Sequence, residues 1–166
     1  MRNKALAVLF LTIFLDLMGF GLIIPILPIY AKDLGATDAM VGLLGTSFSI
    51  MQFLFASFWG GLSDRYGRRP VMLTSILIMM VAYILFANAT VLWVLFVTRL
   101  MKGFGAANLS VAQAYISDVV PQENRTKAFG IIGAAFGLGF IFGPSLGGIL
   151  NEYFGVAGVG YFAASL

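Results

Sequence analysis

The chain has 166 residues, of which 60% are hydrophobic and 10% are charged, and its mean hydropathy is +0.98. A soluble domain of this size needs more polar surface, so the composition excludes that class. Cysteine and histidine are absent, which excludes disulfide frameworks, Cys/His metal sites and His-based triads. The basic residues flank apolar runs and form no stripe on a soluble face, so we expect no nucleic-acid partner. We predict a multi-pass, all-α membrane protein without cofactor or metal.

Apolar runs of about 20 residues, the length that crosses a bilayer as a helix, alternate with short polar segments. Five runs are long enough to be complete spans. A last run is too short to cross, so we expect the chain to stop inside a sixth helix. The predicted helices are residues 6–30, 40–62, 71–89, 91–116 and 128–150, with the start of the sixth at 156–166.

The distribution of Lys and Arg between the loops predicts the orientation in the membrane. With a cytoplasmic amino terminus, Lys32 is the one basic residue in the outer loops, against seven on the inner side. This strong bias predicts a cytoplasmic amino terminus in the cell membrane. The inner residues are Arg2, Lys4, Arg65, Arg68, Arg69, Arg125 and Lys127.

Asp16 lies in the first apolar run, near the predicted middle of the bilayer. A carboxylate at that depth costs about 2.5–3.5 kcal/mol on insertion scales, so it normally faces the bundle interior and marks a proton or substrate path. A structural salt bridge is the alternative. Further along the same helix, Pro25 and Pro28 remove backbone donors and predict a bend, which is either a simple kink or part of a gate.

Arg99 and Lys102 lie three residues apart in the fourth run and therefore share a helix face. Their predicted depth overlaps that of Asp16, and Gly103 beside them loosens the helix. We therefore predict that Asp16 and the two bases line one substrate cavity, together with Pro25 and Gly103. Snorkelling of the two bases to the outer surface is the alternative.

Residues 60–70 join the second and third spans on the inner side, with the order Gly, Asp, Gly, Arg-Arg and Pro. The glycines permit a tight reversal, and the arginines anchor the segment on the cytoplasmic side. Orientation alone requires only the charges. The ordered spacing of Asp64, Arg65, Arg68 and Arg69 therefore indicates a further role.

Glycines recur every four residues in the fifth run, at Gly139, Gly143 and Gly147, with Pro144 and Gly148 beside them. Such a stripe allows another helix to approach backbone to backbone, and the proline predicts a bend. We predict a tight helix contact that is also a place where two bundles could rock. Ordinary small-residue packing is the alternative.

These four segments, in this order, resemble the drug:proton antiporters of the major facilitator superfamily, especially tetracycline and multidrug exporters. The resemblance covers essentially the whole chain. It implies the six-helix amino-terminal bundle of that superfamily, a 3+3 inverted repeat, truncated in helix six and lacking its carboxy-terminal half. Helices one and four are corresponding members of the repeats, and both carry a buried charge and a Gly or Pro interruption.

The resemblance also implies roles for individual residues. Arg99 would couple proton binding to transport, and Asp64, Arg68 and Asp118 would form a charge cluster that stabilises the outward-open state. The glycines and Pro144 of helix five would seal against a helix of the missing half. Lys102 departs from the family, which often has an uncharged polar residue there, so it could alter the substrate charge preference.

The predicted function is proton-coupled efflux of small lipophilic drugs, including cationic ones, by alternating access, with Asp16 exchanging the proton. The transporter would need the lipid bilayer and either the missing half or a second copy of the chain. A proton-coupled nutrient symporter remains an alternative, although the glycine-proline series argues against it. A truncated bundle that acts only through partner association is another. A membrane enzyme is weakly supported, because no set of nucleophile, base and oxyanion donors is visible.

Overall fold

A computed structural model describes residues 2–106 and 108–166, with the side chains of residues 2–6 and 108 left aside. All regular structure in the described residues is α-helical. The helices are α1 Arg2–Ile23, α2 Ile26–Asp33, α3 Asp38–Tyr66, α4 Arg68–Ala87, α5 Leu92–Gly105, α6 Asn108–Val119 and α7 Gln122–Ser165.

The first predicted span is two helices, α1 and α2, whose axes differ in direction by 42°. The break lies at Ile24 and Pro25, because proline has no N–H to donate to the preceding turn. Pro25 is exposed at the break, whereas Pro28 lies in the first turn of α2, where its missing N–H has no helical partner to lose.

The fourth predicted span is also divided, since α5 ends at Gly105 and α6 begins at Asn108. The last carbonyl groups of α5 have no partner within their own helix. Side chains from two other helices supply donors: the indole N–H of Trp59 on α3 donates to the Phe104 carbonyl, and the hydroxyl of Ser75 on α4 donates to the Gly105 carbonyl. These two carbonyl groups are therefore satisfied by hydrogen bonds from other helices rather than by a continuation of their own helix.

The fifth predicted span and the start of the sixth lie together in α7, which changes direction at Gly155. Gly155 has φ 65° and ψ −177°, a conformation that residues with a side chain rarely adopt. Pro144 lies inside α7, and the non-helical backbone angles occur at Gly155 instead of at the proline.

The extensive contact between α1 and α7 depends on the glycine stripe. A Cβ atom built on Gly143 would lie 2.7 Å from Cα of Gly21, and one on Gly139 would lie 2.8 Å from Cβ of Leu17. A Cβ on Gly147 would overlap the Leu22 carbonyl oxygen. Three glycines that the resemblance assigned to contact with another half thus pack on α1 of this same bundle. Only the absence of side chains allows so close an approach.

Gly148 does not take part in that contact, because nothing lies within 4 Å of a Cβ built on it. The same holds for Gly133 and Gly137. One face of α7 is therefore packed against α1, while small residues on another face are open.

Three helices in the described residues, α3, α4 and α7, are each long and apolar enough to cross a membrane, and the bent pair α1 and α2 meets the same criterion as one span. At 14 and 12 residues, α5 and α6 are each shorter than the ~20 residues that crossing requires. The helices bury a shared apolar core against one another. Its fully buried members include Leu22, Leu44, Phe86, Leu95 and Val159.

Candidate functional site

Asp16 lies on α1 with its side chain half-buried, between two cavities. The first, which we call the acid cavity, has a volume of about 130 Å³ and is lined by residues of α1, α3, α4, α5, α6 and α7. The second has a volume of about 160 Å³ and lies between α1, α4 and the end of α7. Apolar side chains make up most of both linings, so the charge of this carboxyl group is weakly screened.

Lys102 lines the acid cavity with Asp16 and is only 4% exposed. Its ammonium group donates a hydrogen bond to the phenol oxygen of Tyr83 on α4. It also lies 4.1 Å from the centroid of the Tyr83 ring and 5.2 Å from that of Phe20. Both are cation–π distances, so aromatic faces and one oxygen replace the water that this cation loses on burial.

Arg99 is equally buried, at 4% exposure, but it lies apart from the acid cavity lining. It lines a larger cavity of about 540 Å³, the arginine cavity, formed by α1, α2, α3 and α5. Its Nη2 atom is buried and has no hydrogen-bond partner among the described residues. Leaving such a charged donor unpaired is costly. Among the described residues, Arg99 is the one with a buried side-chain nitrogen or oxygen that lacks a hydrogen-bond partner.

The acid cavity and the arginine cavity share an aromatic wall. Phe20 of α1 and Phe48 of α3 line both cavities, and their rings stack with centroids 4.9 Å apart. The two cavities are therefore neighbours, with Asp16 and Lys102 in one, Arg99 in the other and two phenyl rings between them.

A second charged cluster lies around Arg68, where α3 ends and α4 begins. Its guanidinium group forms ion pairs with Asp64 at 2.6 Å and with Asp118 at 2.8 Å, and it also donates to the hydroxyl of Ser63. Gly67, with φ 94°, provides the reversal between α3 and α4 that brings Arg68 back toward Asp64. The cluster thus ties α3, α4 and α6 together.

Arg125 adds a contact to the same end of α6. Its side chain donates to the carbonyl oxygens of Ser117 at 2.6 Å and Val120 at 3.1 Å. Ser117 lies in the last turn of α6 and Val120 directly follows the helix, where carbonyl groups lack helical partners. Arg125 therefore caps the helix end that presents Asp118.

The family model described as Major Facilitator Superfamily matches residues 9–166. The chain belongs to this superfamily.

Among curated relatives, the chain is 42% identical to the class C tetracycline resistance protein of Escherichia coli and 36% identical to the quinolone resistance protein NorA of Staphylococcus aureus. Each match covers 90% of this chain, and 38% and 39% of the respective relatives. The chain thus spans less than half the length of these proteins. Superfamily members are membrane carriers, and neither the family nor these relatives indicate an enzyme.

Among solved structures, the chain is similar to the human organic anion transporter MFSD10, with a TM-score of 0.87 and 30% sequence identity. This likeness covers 98% of the chain and 45% of that transporter. The all-α fold and the superfamily predicted from the sequence are confirmed.

Some of the site residues that were predicted from the sequence lie together in the structure, and others are separated. Asp16 and Lys102 line the acid cavity, and Arg99 lines the neighbouring arginine cavity. Arg99 and Lys102 together line a small cavity of about 10 Å³. That all three residues line one substrate cavity stays a prediction. Pro25 is exposed at the helix break. Gly103 is buried where α5 meets α3, because a Cβ there would overlap the Phe48 carbonyl oxygen.

The predicted charge cluster is divided in a similar way. Asp64, Arg68 and Asp118 are joined by ion pairs, but Arg65 and Arg69 are exposed. The Arg65 guanidinium lies 5.4 Å from the ring centroid of Tyr66 and is not among the ion pairs of the described residues.

Three residues of these sites were not anticipated from the sequence. Tyr83 offered a signal, because a phenol inside an apolar run must find a hydrogen-bond partner. Ser63 and Arg125 gave little indication of a site role in the sequence. Serine is common at helix ends, and the charge of Arg125 was already explained by its position on the inner side.

Proposed function

We propose that the chain is part of a proton-coupled transporter that exports small lipophilic molecules by alternating access. The observation that supports this most is the position of Asp16, a half-buried acid on a broken membrane helix, lining two largely apolar cavities. Protonation removes the negative charge of a carboxyl group, so proton occupancy and the binding of a positively charged group oppose each other there.

The names of the relatives support the direction of transport. Resistance to tetracyclines and quinolones, which those names state for the relatives, is consistent with removal of a drug from the cell. The chain covers 38–39% of those relatives. We therefore propose that it functions with further transmembrane helices, supplied either by a carboxy-terminal half or by a second copy.

We also propose that the protein lies in the cell membrane with its amino terminus in the cytoplasm, since most Lys and Arg residues of its loops would then be on the inner side. In that orientation the cluster around Arg68 is cytoplasmic. Its ion pairs between α3, α4 and α6 would hold the inner end of the bundle closed in the outward-open state.

Replacement of Asp16 by asparagine tests the proposal directly. In everted membrane vesicles from cells expressing the complete gene product, an imposed proton gradient should drive dye uptake with the wild type. Asp16→Asn should reduce uptake to the level of vesicles without the protein. Asp33→Asn, a matched change at an exposed acid, should leave uptake unchanged.

Undiminished gradient-driven uptake with Asp16→Asn would remove Asp16 from the mechanism. Proton flux measured in the same vesicles separates antiport from symport. Antiport requires protons to leave the vesicle as the dye enters, and movement of both in one direction would favour the nutrient symporter instead.

A further inference from the structure

The small cavity beside Arg99 and Lys102 lies inside the bundle, between α1, α4 and α5. It has a volume of about 10 Å³, and no residue of α3 lines it. Each residue of its lining is at most 5% exposed. The polar members of that lining are Tyr83, Thr98, Arg99 and Lys102. A cavity of this size has room for one occupant about as large as a water molecule.

Most hydrogen-bonding groups around the small cavity are donors. Nη2 of Arg99 is buried without a partner among the described residues. The Lys102 ammonium group donates to the phenol oxygen of Tyr83, and because that oxygen accepts, its own proton remains available to donate. The hydroxyl proton of Thr98 is used within α5, at 2.7 Å from the Leu95 carbonyl oxygen. The cavity therefore lacks an acceptor rather than a donor.

The charges around the small cavity are unbalanced as well. Arg99 and Lys102 are both 4% exposed, and neither takes part in the ion pairs of the described residues. Asp16 lines the acid cavity with Lys102 but does not line the small cavity. One acid can offset one base only, and a second cation buried at low dielectric is costly without a counter-charge.

We propose that the small cavity is a binding site for one small inorganic anion, of which chloride is the physiological example. The ion would accept hydrogen bonds from Arg99, Lys102 and the phenol group of Tyr83. Such charge-assisted hydrogen bonds are stronger than those between neutral groups. They would join α5 to α4 through the ion.

A single water molecule is the competing occupant. Water fits the same volume, but it must donate hydrogen bonds as well as accept them, and it brings no charge to offset the second base. Carboxylates and phosphates are too large for a cavity that holds one small molecule. A monatomic anion matches both the size and the charge of the site.

The anion site is separate from the cavities assigned to transport. Phe20 and Phe48 line both the acid cavity and the arginine cavity, and neither lines the small cavity. The ion would therefore stabilise the packing of α5 on α4 without displacing a transported molecule. Its binding can be measured with no substrate and no proton gradient, so the result is independent of the proposed function.

The thermal midpoint of the complete gene product in lipid nanodiscs tests the proposal, as sodium chloride replaces sodium gluconate at constant ionic strength. Gluconate is too large for the cavity. Chloride should raise the midpoint in a saturable manner, by on the order of 2 °C at ten times its dissociation constant, because it binds the folded state. Equal midpoints throughout the series would mean that the cavity holds water only and would overturn the proposal, as would a rise without saturation.

Arg99→Gln removes the unpaired donor and one buried charge, so the effect of chloride on the midpoint should disappear. In gluconate this variant should be at least as stable as the wild type, because the charge without a counter-ion is gone. Lys32→Gln removes the same charge from an exposed residue and should keep the full chloride effect. A chloride effect that persists unchanged in Arg99→Gln would contradict the assignment.

Binding of radioactive chloride to the same nanodiscs gives a direct count of ions. The wild type should bind one more ion per chain than Arg99→Gln, and equal counts would overturn the proposal. If Arg99→Gln does not fold, Arg99→Lys takes its place. It should raise the dissociation constant of chloride by about five-fold, since an ammonium group cannot reproduce the planar set of guanidinium donors, and an unchanged constant would contradict the site.

Discussion

Lys102 on α5 donates its buried hydrogen bond to the phenol oxygen of Tyr83 on α4. Gly19 of α1 lies against the same oxygen, since a Cβ atom at Gly19 would be 2.8 Å from it. Three helices therefore meet at one phenol group. The contact determines which way a buried cation points, beside the carboxyl group of Asp16 that lines both neighbouring cavities.

Tyr83→Phe should destabilise the protein, because it leaves the Lys102 ammonium group without its oxygen acceptor. Loss of a hydrogen bond to a buried charge costs about 1.5–3 kcal/mol. The thermal midpoint of the purified protein, followed by intrinsic fluorescence, provides the measurement. Tyr153→Phe, at a residue 74% exposed, is the matched control and should change little.

The double variant Tyr83→Phe with Lys102→Met should recover much of that loss, because no unsatisfied charge then remains buried. Equal midpoints for Tyr83→Phe and Tyr153→Phe would show that the phenol contributes nothing to holding Lys102.

Gly143→Ala should weaken the packing of α1 against α7. The new methyl group would lie 2.7 Å from Cα of Gly21 and 2.9 Å from the Met18 carbonyl oxygen. These are backbone atoms, which cannot relieve the overlap by a change of rotamer. Overpacking of this kind costs about 1–3 kcal/mol. A lowered midpoint in the same thermal assay is expected.

Gly137→Ala is the matched control on the same helix, where nothing lies within 4 Å of the added carbon. Alanine is favoured over glycine in helices by about 0.5–1 kcal/mol, so this variant should be unchanged or slightly more stable. If both variants behave alike, the contact between α1 and α7 is looser than the structure indicates.

In the proposed orientation, Asp118→Asn should open the cytoplasmic end of the bundle more often, because it removes one of the two carboxylates paired with Arg68. The Arg68 side chain is 17% exposed and that of Asp118 is 54% exposed, so solvent screening limits the effect to about 1 kcal/mol or a five-fold shift. The chain contains no cysteine, which makes a single introduced thiol a clean reporter.

Gln52→Cys, in the lining of the acid cavity, supplies that thiol. Its labelling by a membrane-impermeant reagent from the cytoplasmic side should be faster when Asp118→Asn is also present. Asp33→Asn is the control, since Asp33 is exposed and outside the ion pairs found in the described residues. Unchanged labelling would mean that the cluster does not control access from that side.

Arg125→Gln should destabilise α6 at its carboxyl end, because the carbonyls of Ser117 and Val120 lose their donor. Loss of such a cap typically costs about 1 kcal/mol. Lys127→Gln removes an equal charge from an exposed neighbouring position and should not change the thermal midpoint. Equal effects of the two changes would attribute any loss to net charge rather than to capping.

Asp16 and the cluster around Arg68 illustrate what can be predicted from a sequence of this kind. An acid inside an apolar run carries a large desolvation cost, so its presence alone indicates a site. The spacing of Asp64 and Arg68 likewise predicts a pair, because residues four apart face each other on a helix. Neither argument depends on knowing where the other helices lie.

The break between α1 and α2 was predictable from the sequence, whereas the break between α5 and α6 was not. Pro25 lacks a backbone donor, so a bend at that point follows from its chemistry. The end of α5 at Gly105 depends instead on Trp59 and Ser75, which are remote in sequence. Their side chains can donate hydrogen bonds to the last carbonyls of α5 only once the bundle has formed.

The amino-acid sequence by itself determined the membrane class, the succession of apolar helices and the presence of three charges inside apolar runs, because hydropathy and desolvation act on each segment separately. Only the tertiary structure decided that Asp16 and Lys102 share one cavity while Arg99 lies in the next, and that the glycine stripe packs on α1. The direction in which a helix face points depends on the neighbours that surround it, and no single segment carries that information.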